Sequence, residues 1–381
     1  MKKIYWRPRA ISRNALLLIS LLSIGGWLLV EYNRLQVEQP YYAEKLAAAD
    51  LAQKCFDSIK QERLRRGHAI DVEVDPLQTG LIGEAMSVAT SSSGVLEAKQ
   101  DSVNPNFAAV IVDMLRTAGV QKGDTVAIGY SGSFPALNIC VDAAVETLEL
   151  KPVGISSASA SQWGANLPDW LWIDMEKTLY DEKLISFRSV AASLGGVEDR
   201  GLGMSSETKA SLKAGIERAG LPLVEADSFA QSLEGRLALY REKAGSARIK
   251  AYINVGGGTT SVGKSLGKRL LPSGLNTSLP HTARNIDSVM TRFLALDVPV
   301  IHLVRVRDLA NRYGLPVELT TAPKVGEGQV YFRTQYNKWY AALVLLGILG
   351  SLYAFIRSDW GFRIFHSTDR RRDLGHPEPM V

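Results

Sequence analysis

Two long apolar runs stand near the ends of the chain. The first is 14–30 (NALLLISLLSIGGWLLV), 17 uncharged residues, and the second is 339–356 (WYAALVLLGILGSLYAFI), 18 residues. Between them the apolar pattern changes period repeatedly. Val126 to Ile128 reads as a buried strand, broken at Gly129 by the small hydroxylated turn Ser131-Gly132-Ser133. Pro135 then suits the first turn of a helix, where a missing N–H costs nothing. Ala136, Leu137, Cys140, Ala144 and Leu148 follow at helical spacing. The alternation continues downstream. Strands are predicted at 152–156, 187–191, 222–224, 249–255, 298–304 and 316–319, and helices at 168–183, 206–219, 227–244, 282–296 and 306–313. Before the first strand, 41–66 reads as a charged amphipathic helix ending at Gly67, either a stalk or the first helix of the domain. Segment 106–118 reads as a second helix behind Asn104-Pro105. Such βαβα alternation predicts an α/β fold with a mostly parallel sheet and helices on both faces.

Charge gives the terminal runs a meaning. Residues 1–30 carry five basic residues and no acid, and 357–381 carry five arginines against four acids. Setting these ends aside leaves 34 basic and 35 acidic residues, so the formal +5 belongs to the termini. A nucleic-acid binder would concentrate its basicity on the folded domain, so nucleic acid is excluded as a partner. Basic flanks beside apolar runs predict two membrane spans with both termini cytoplasmic. The expected organisation is a basic N-terminus (1–13), a transmembrane helix (14–30) and a juxtamembrane helical stalk (31–66). An extracytoplasmic α/β domain (67–338), a second transmembrane helix (339–356) and a basic cytoplasmic tail (357–381) complete it. The protein would then reside in the inner or plasma membrane. Cys55 and Cys140 would face an oxidising compartment, either as a disulfide or as buried thiols. No metal-ligand spacing is present, and no cofactor is implied.

Three loops of Gly, Ser and Thr follow predicted strands: Gly129–Ser133, Ser156–Asn166 and Gly256–Ser261. In a doubly wound sheet such loops gather at the strands' carboxyl ends, where ligands bind. Ser131, Ser133, Asn254 and Thr259 are therefore expected to line one pocket, with His281 or His302 nearby. Gly129-Tyr130-Ser131-Gly132-Ser133 is one residue short of a nucleophile elbow. Ser131 is thus a candidate nucleophile with His281 or His302 as base and Asp287 or Asp297 behind it, or else a ligand for a carboxylate. Gly258 to Ser265 (GTTSVGKS) satisfies the Walker A pattern, with Lys264 as its lysine. Gly267, Pro272 and Gly274 downstream are poor material for the helix that should receive phosphates. NVGGGTTS is also similar to the phosphate loop of the actin and Hsp70 fold, although Asn254 stands where that fold needs a carboxylate. The bland reading of Gly256, Gly257 and Gly258 is a turn of close backbone approach. Lys264, Lys268 and Arg269 are placed to attract carboxylates, or form a solvated face. Trp163, Trp170 and Trp172 are either a polymer platform or core.

The segments 79–138, 160–176 (ASQWGANLPDWLWIDME) and 253–265 (INVGGGTTSVGKS) together resemble the poly-gamma-glutamate system protein family. SGSFPALN and ASQWGAN are the most distinctive stretches. The resemblance implies a membrane-anchored accessory protein, working with the poly-gamma-glutamate synthase and export proteins on an anionic γ-linked polymer. It assigns no catalytic residue. The expected function is therefore assistance in synthesis, export or retention of that polymer, through an anion- or carboxylate-binding cleft comprising Ser131, Gly132, Ser133, Asn254, Gly256, Gly257, Gly258, Thr259 and Lys264. A serine-dependent hydrolase or transferase and a nucleotide-binding protein using 258–265 remain open alternatives.

Overall fold

In a computed structural model, which describes residues 13–357, the fold is α/β around a six-stranded sheet. Its strands are β1 (Thr125–Ser131), β2 (Lys151–Ser157), β3 (Ala191–Ser193), β4 (Ile249–Val255), β5 (Gly274–Asn276) and β6 (Val300–Leu303). Their spatial order is β5-β6-β4-β1-β2-β3. β1 and β4 sit at the centre, with Gly129 beside Asn254. The chain winds outward through β2 and β3 on one side, then returns to β4, crosses to the edge strand β5 and comes back to β6 between them. The sheet thus reverses direction between β1 and β4, which is where open α/β sheets form a crevice.

The expectation of a mostly parallel sheet is corrected: the sheet is mixed. β6, β4, β1, β2 and β3 run parallel to their neighbours, but β5 pairs antiparallel to β6, with Gly274 opposite His302. An edge strand carries only one ladder and no obligatory crossover, so it is free to run backwards. The predicted strand at 222–224 is reduced to a bridge between Leu223 and Ala192, and 316–319 forms no strand.

Alternation along the strands divides the core between the two faces. Val126, Ile128 and Tyr130 enter one cluster with Ile253, Val255, Ile301 and Leu303. Ala127, Val153, Tyr252 and Val300 enter the other. Helix Tyr42–Arg65 belongs to the first cluster, burying Ala48, Ala49, Ala52, Cys55, Phe56 and Ile59. Pro135–Thr147 is buried along most of its length, which explains its near-continuous apolar sequence. Cys55 and Cys140 are both buried free thiols.

The membrane reading is overturned. Among the described residues, no helix is long and apolar enough to cross a membrane. The two terminal runs do form helices, Arg13–Tyr32 and Lys338–Arg357. Ser20, Ser23, Gly25 and Gly26 dilute the first run. The two helices pack on each other; a Cβ at Gly26 would lie 2.4 Å from Val344 Cγ1. The transmembrane segments, the two-pass inner-membrane location and the membrane as partner are accordingly withdrawn. The basic ends, residues 1–12 and 358–381, fall outside the described residues. The chain divides into two units, one of Glu38–Phe332 and one formed by the terminal segments.

Candidate functional site

The loop after β1 and the loop after β4 flank the point where the sheet reverses. They approach closely: a Cβ at Gly256 would lie 3.2 Å from both Cβ and Oγ of Ser131. Gly256 has φ +80°, so the turn needs glycine twice over. The loop after β2 closes against the first. A Cβ at Gly132 would be 2.8 Å from Ser159 O, and one at Gly164 2.8 Å from Gly132 O. The three glycine- and serine-rich loops therefore meet at one edge of the sheet.

They do not, however, present all the expected side chains to one space. Ser131 is half-buried and its Oγ accepts from Ser133 N at 3.2 Å. Ser133 Oγ accepts from Ser161 N at 3.0 Å, turned toward the β2 loop. Thr259 is turned toward the β3 loop, accepting from Glu198 N at 2.6 Å and donating to Gly196 O. His281 is exposed on the 3-10 turn His281–Ala283, and Asp287 is held by Arg292. Among the described residues no histidine bonds Ser131, so a Ser131–histidine couple is not assembled.

Asn254 and His302 are brought together, as neighbours in register on β4 and β6. Asn254 Nδ2 donates to Gly256 O at 2.7 Å and lies 3.0 Å from His302 Nδ1. Because that amide nitrogen can only donate, Nδ1 accepts and the ring proton resides on Nε2. Burial, with Arg305 adding a like charge, depresses the ring's pKa to about 3 and keeps it neutral. His302 is 1% exposed, and its Nε2 has no partner among the described residues.

His302 lines a cavity of about 450 Å³ together with Gly257, Lys268, Arg269, Val304 and Arg305. Lys268, Arg269 and Arg305 are exposed, and none is paired with a carboxylate among the described residues. Gly257 lets the backbone approach Lys268, whose Cε would be 3.2 Å from a Cβ there. Arg305 has left-handed backbone (φ 47°) where strand β6 turns into helix Val306–Tyr313. Non-glycine residues pay about 1–3 kcal/mol for such a conformation, and it is commonest at binding sites. Three positive charges and one buried N–H donor thus converge on a concave space of ligand size.

The glycine segment is not an open phosphate loop. Thr259–Val262 and Lys264–Leu270 are helical, and the N–H groups of Val262 and Gly263 donate to Gly258 O and Thr259 O. A phosphate would need those donors free. Lys264 points elsewhere, 3.4 Å from Glu198 and over the Phe229 ring. The tryptophans form no platform either. Trp170 and Trp172 are fully buried, Trp172 donating to Ser156 Oγ at 3.1 Å, and Trp163 is half-buried. No cluster of potential metal ligands occurs among the described residues.

No family model matches the chain, and no curated protein matches it. Among solved structures, an archaeal alanine:glyoxylate aminotransferase aligns over 93% of this chain and 71% of its own. The identity is 12% and the TM-score 0.15, a likeness that carries no argument.

Two contributors escape a sequence reading. Arg305 carries a faint signal, being the second residue past an apolar strand. Lys99, on helix Leu96–Ser102, carries none. Its ammonium group is buried against the β1 and β2 loops, bonded to Ser133 O and 2.9 Å from Ser161 Oγ.

Proposed function

We propose that this protein binds a carboxylate-bearing ligand at the carboxyl edge of its sheet, as an accessory protein of poly-gamma-glutamate production. The observation carrying this reading is the cavity that Lys268, Arg269 and Arg305, unpaired among the described residues, line together with His302, whose Nε2 has no partner among them. A buried N–H without an acceptor costs about 1–3 kcal/mol, which an incoming carboxylate oxygen would recover. Separate cations suit a ligand with several carboxylates, and a γ-linked glutamate chain carries one on every residue. The polymer and its synthase and export partners follow from the resemblance described above; the cavity supports only the carboxylate chemistry. Ser131, beside Gly256, is then a rim ligand rather than a nucleophile.

Calorimetric titration with short γ-linked glutamate oligomers tests this. Lys268→Ala, Arg269→Ala and Arg305→Ala should each weaken binding about tenfold or more, as loss of a charged hydrogen bond implies. Affinity should also fall with added salt. Equal binding of the neutral oligomer whose free α-carboxylates are converted to amides, or of the triple variant, would reject the reading.

A further inference from the structure

A lysine buried without a carboxylate is expensive, and here the cost falls beside a hydroxyl. Lys99 is 3% exposed. Its Nζ bonds the Ser133 carbonyl, lies 2.9 Å from Ser161 Oγ, and sits 3.8 Å from the centroid of the Phe134 ring. On its own helix, Asp101 is held by Arg307 at 2.8 Å and Glu97 is exposed. The segments packed on it, 131–134 (SGSF) and 159–166 (SASQWGAN), contain no ionisable group. Among the described residues nothing therefore balances an ammonium except the face of Phe134, a contribution smaller than the desolvation of a buried charge. Burial brings the amine's pKa down to about 7, so much of it is neutral at physiological pH.

A neutral amine has one lone pair, and Ser161 Oγ, 2.9 Å away, is a hydroxyl that can donate to it. Nζ spends a hydrogen on Ser133 O. Ser161 Oγ has one other acceptor in range, Gln162 O, at a marginal 3.5 Å. The hydroxyl hydrogen is better placed on Nζ, which is the direction a general base requires. Ser161 retains 7% of its surface in solvent, between half-buried Gln162, Trp163, Ser133 and Phe134.

We propose that Ser161 and Lys99 form a serine–lysine nucleophile pair acting on the carbonyl of an amide or ester. Ser161 Oγ bonds to the carbonyl carbon while its proton passes to Nζ. The bond from carbon to the leaving amine or alcohol then breaks, and that group takes the proton from Nζ. Water attacks the resulting acyl-serine in the same way, giving its proton to Nζ. The carboxylic acid leaves as the proton returns to Ser161 Oγ. This pair is separate from the basic cavity and does not depend on what that cavity binds.

The test is labelling of the full chain with a fluorophosphonate, mapped by peptide mass spectrometry. We expect one adduct, on Ser161, forming faster as pH rises through about 7. Ser161→Ala should abolish it. Lys99→Arg keeps the donors and the charge but cannot act as a neutral base. It should slow labelling by about 100-fold or more while the protein still melts cooperatively. The wild-type measurement needs no variant to fold. No adduct, an adduct only on another residue, a rate independent of pH, or a wild-type rate in Lys99→Arg would each overturn the proposal.

Discussion

Asn254 decides what His302 can do. By donating to Nδ1 it leaves Nε2 as the only place for the ring proton, and burial prevents a second proton from arriving. The ring is therefore a fixed donor whose state is independent of pH across the physiological range. Imidazole chemical shifts should show no titration of His302 between pH 8 and pH 5. Asn254→Asp places an acceptor and a negative charge against Nδ1, which favours imidazolium. In that variant the ring should titrate above pH 5; a silent ring there would show that Asn254 does not control the tautomer. Ser131, Asn254 and the glycines were readable as candidates because each lies at or just past the end of an apolar strand. Lys99 was not readable, because only tertiary contact with 131–134 and 161 makes an ordinary helical lysine unusual.

Segment 256–270 illustrates how an element can satisfy a motif and reject its function. Its spacing matches a nucleotide loop, yet the backbone closes into two short helices around Gly263 (φ +83°). The packing that enforces this is tight. A Cβ at Gly263 would be 2.2 Å from Ile286 Cγ2, and one at Gly267 only 1.7 Å from Val262 O. Gly267→Ala should therefore destabilise the protein by about 1–3 kcal/mol in chemical denaturation, since the blocking atom is backbone and cannot swing away. Lys264→Ala removes an exposed pairing with Glu198, a kind of contact worth little. It should leave both the denaturation midpoint and carboxylate binding unchanged. Tight ATP binding that Lys264→Ala abolishes would contradict the helical assignment of this segment.

Across the whole molecule, buried ionisable groups make stability depend on pH in opposing ways. Glu176 is fully buried between the sheet and helix Trp172–Asp181. Its Oε1 accepts from Ser189, and its Oε2 has no partner among the described residues. Burial raises its pKa from the usual 4.5 to about 7, and Asp142, bonded to Tyr130, is raised well above its usual value by the same cause. A raised carboxyl binds its proton more tightly in the folded state. Its stabilising contribution is full below about pH 4.5 and is lost as pH rises through about 7. Lys99 and His302 are shifted downward, so their contributions run the other way, growing with pH. Comparing Glu176→Gln with wild type isolates one term. The variant should gain stability relative to wild type from pH 5 to pH 8, by about 3 kcal/mol at most. A constant difference across that range would mean Glu176 is not protonated in the fold.

What the sequence determined by itself is the α/β class of the fold and the glycine- and serine-rich loops that meet at one edge of its sheet. Period-two and period-3.6 apolar patterns are local, and small residues after buried strands are dictated by backbone approach, so both can be read along the chain. The edge strand β5 could not be read at all, because Gly274-Leu275-Asn276 carries one apolar residue and an edge strand pairs on one side only. The terminal runs misled for a related reason. A run of apolar letters is counted along the chain, whereas among the described residues no helix is long and apolar enough to cross a membrane. Tertiary structure alone decided that Ser131, Ser133 and Thr259 turn in three different directions. It alone placed Lys268 beside His302 and Lys99 beside Ser161. Those pairings join residues from separate elements, and long-range proximity leaves no trace in local pattern.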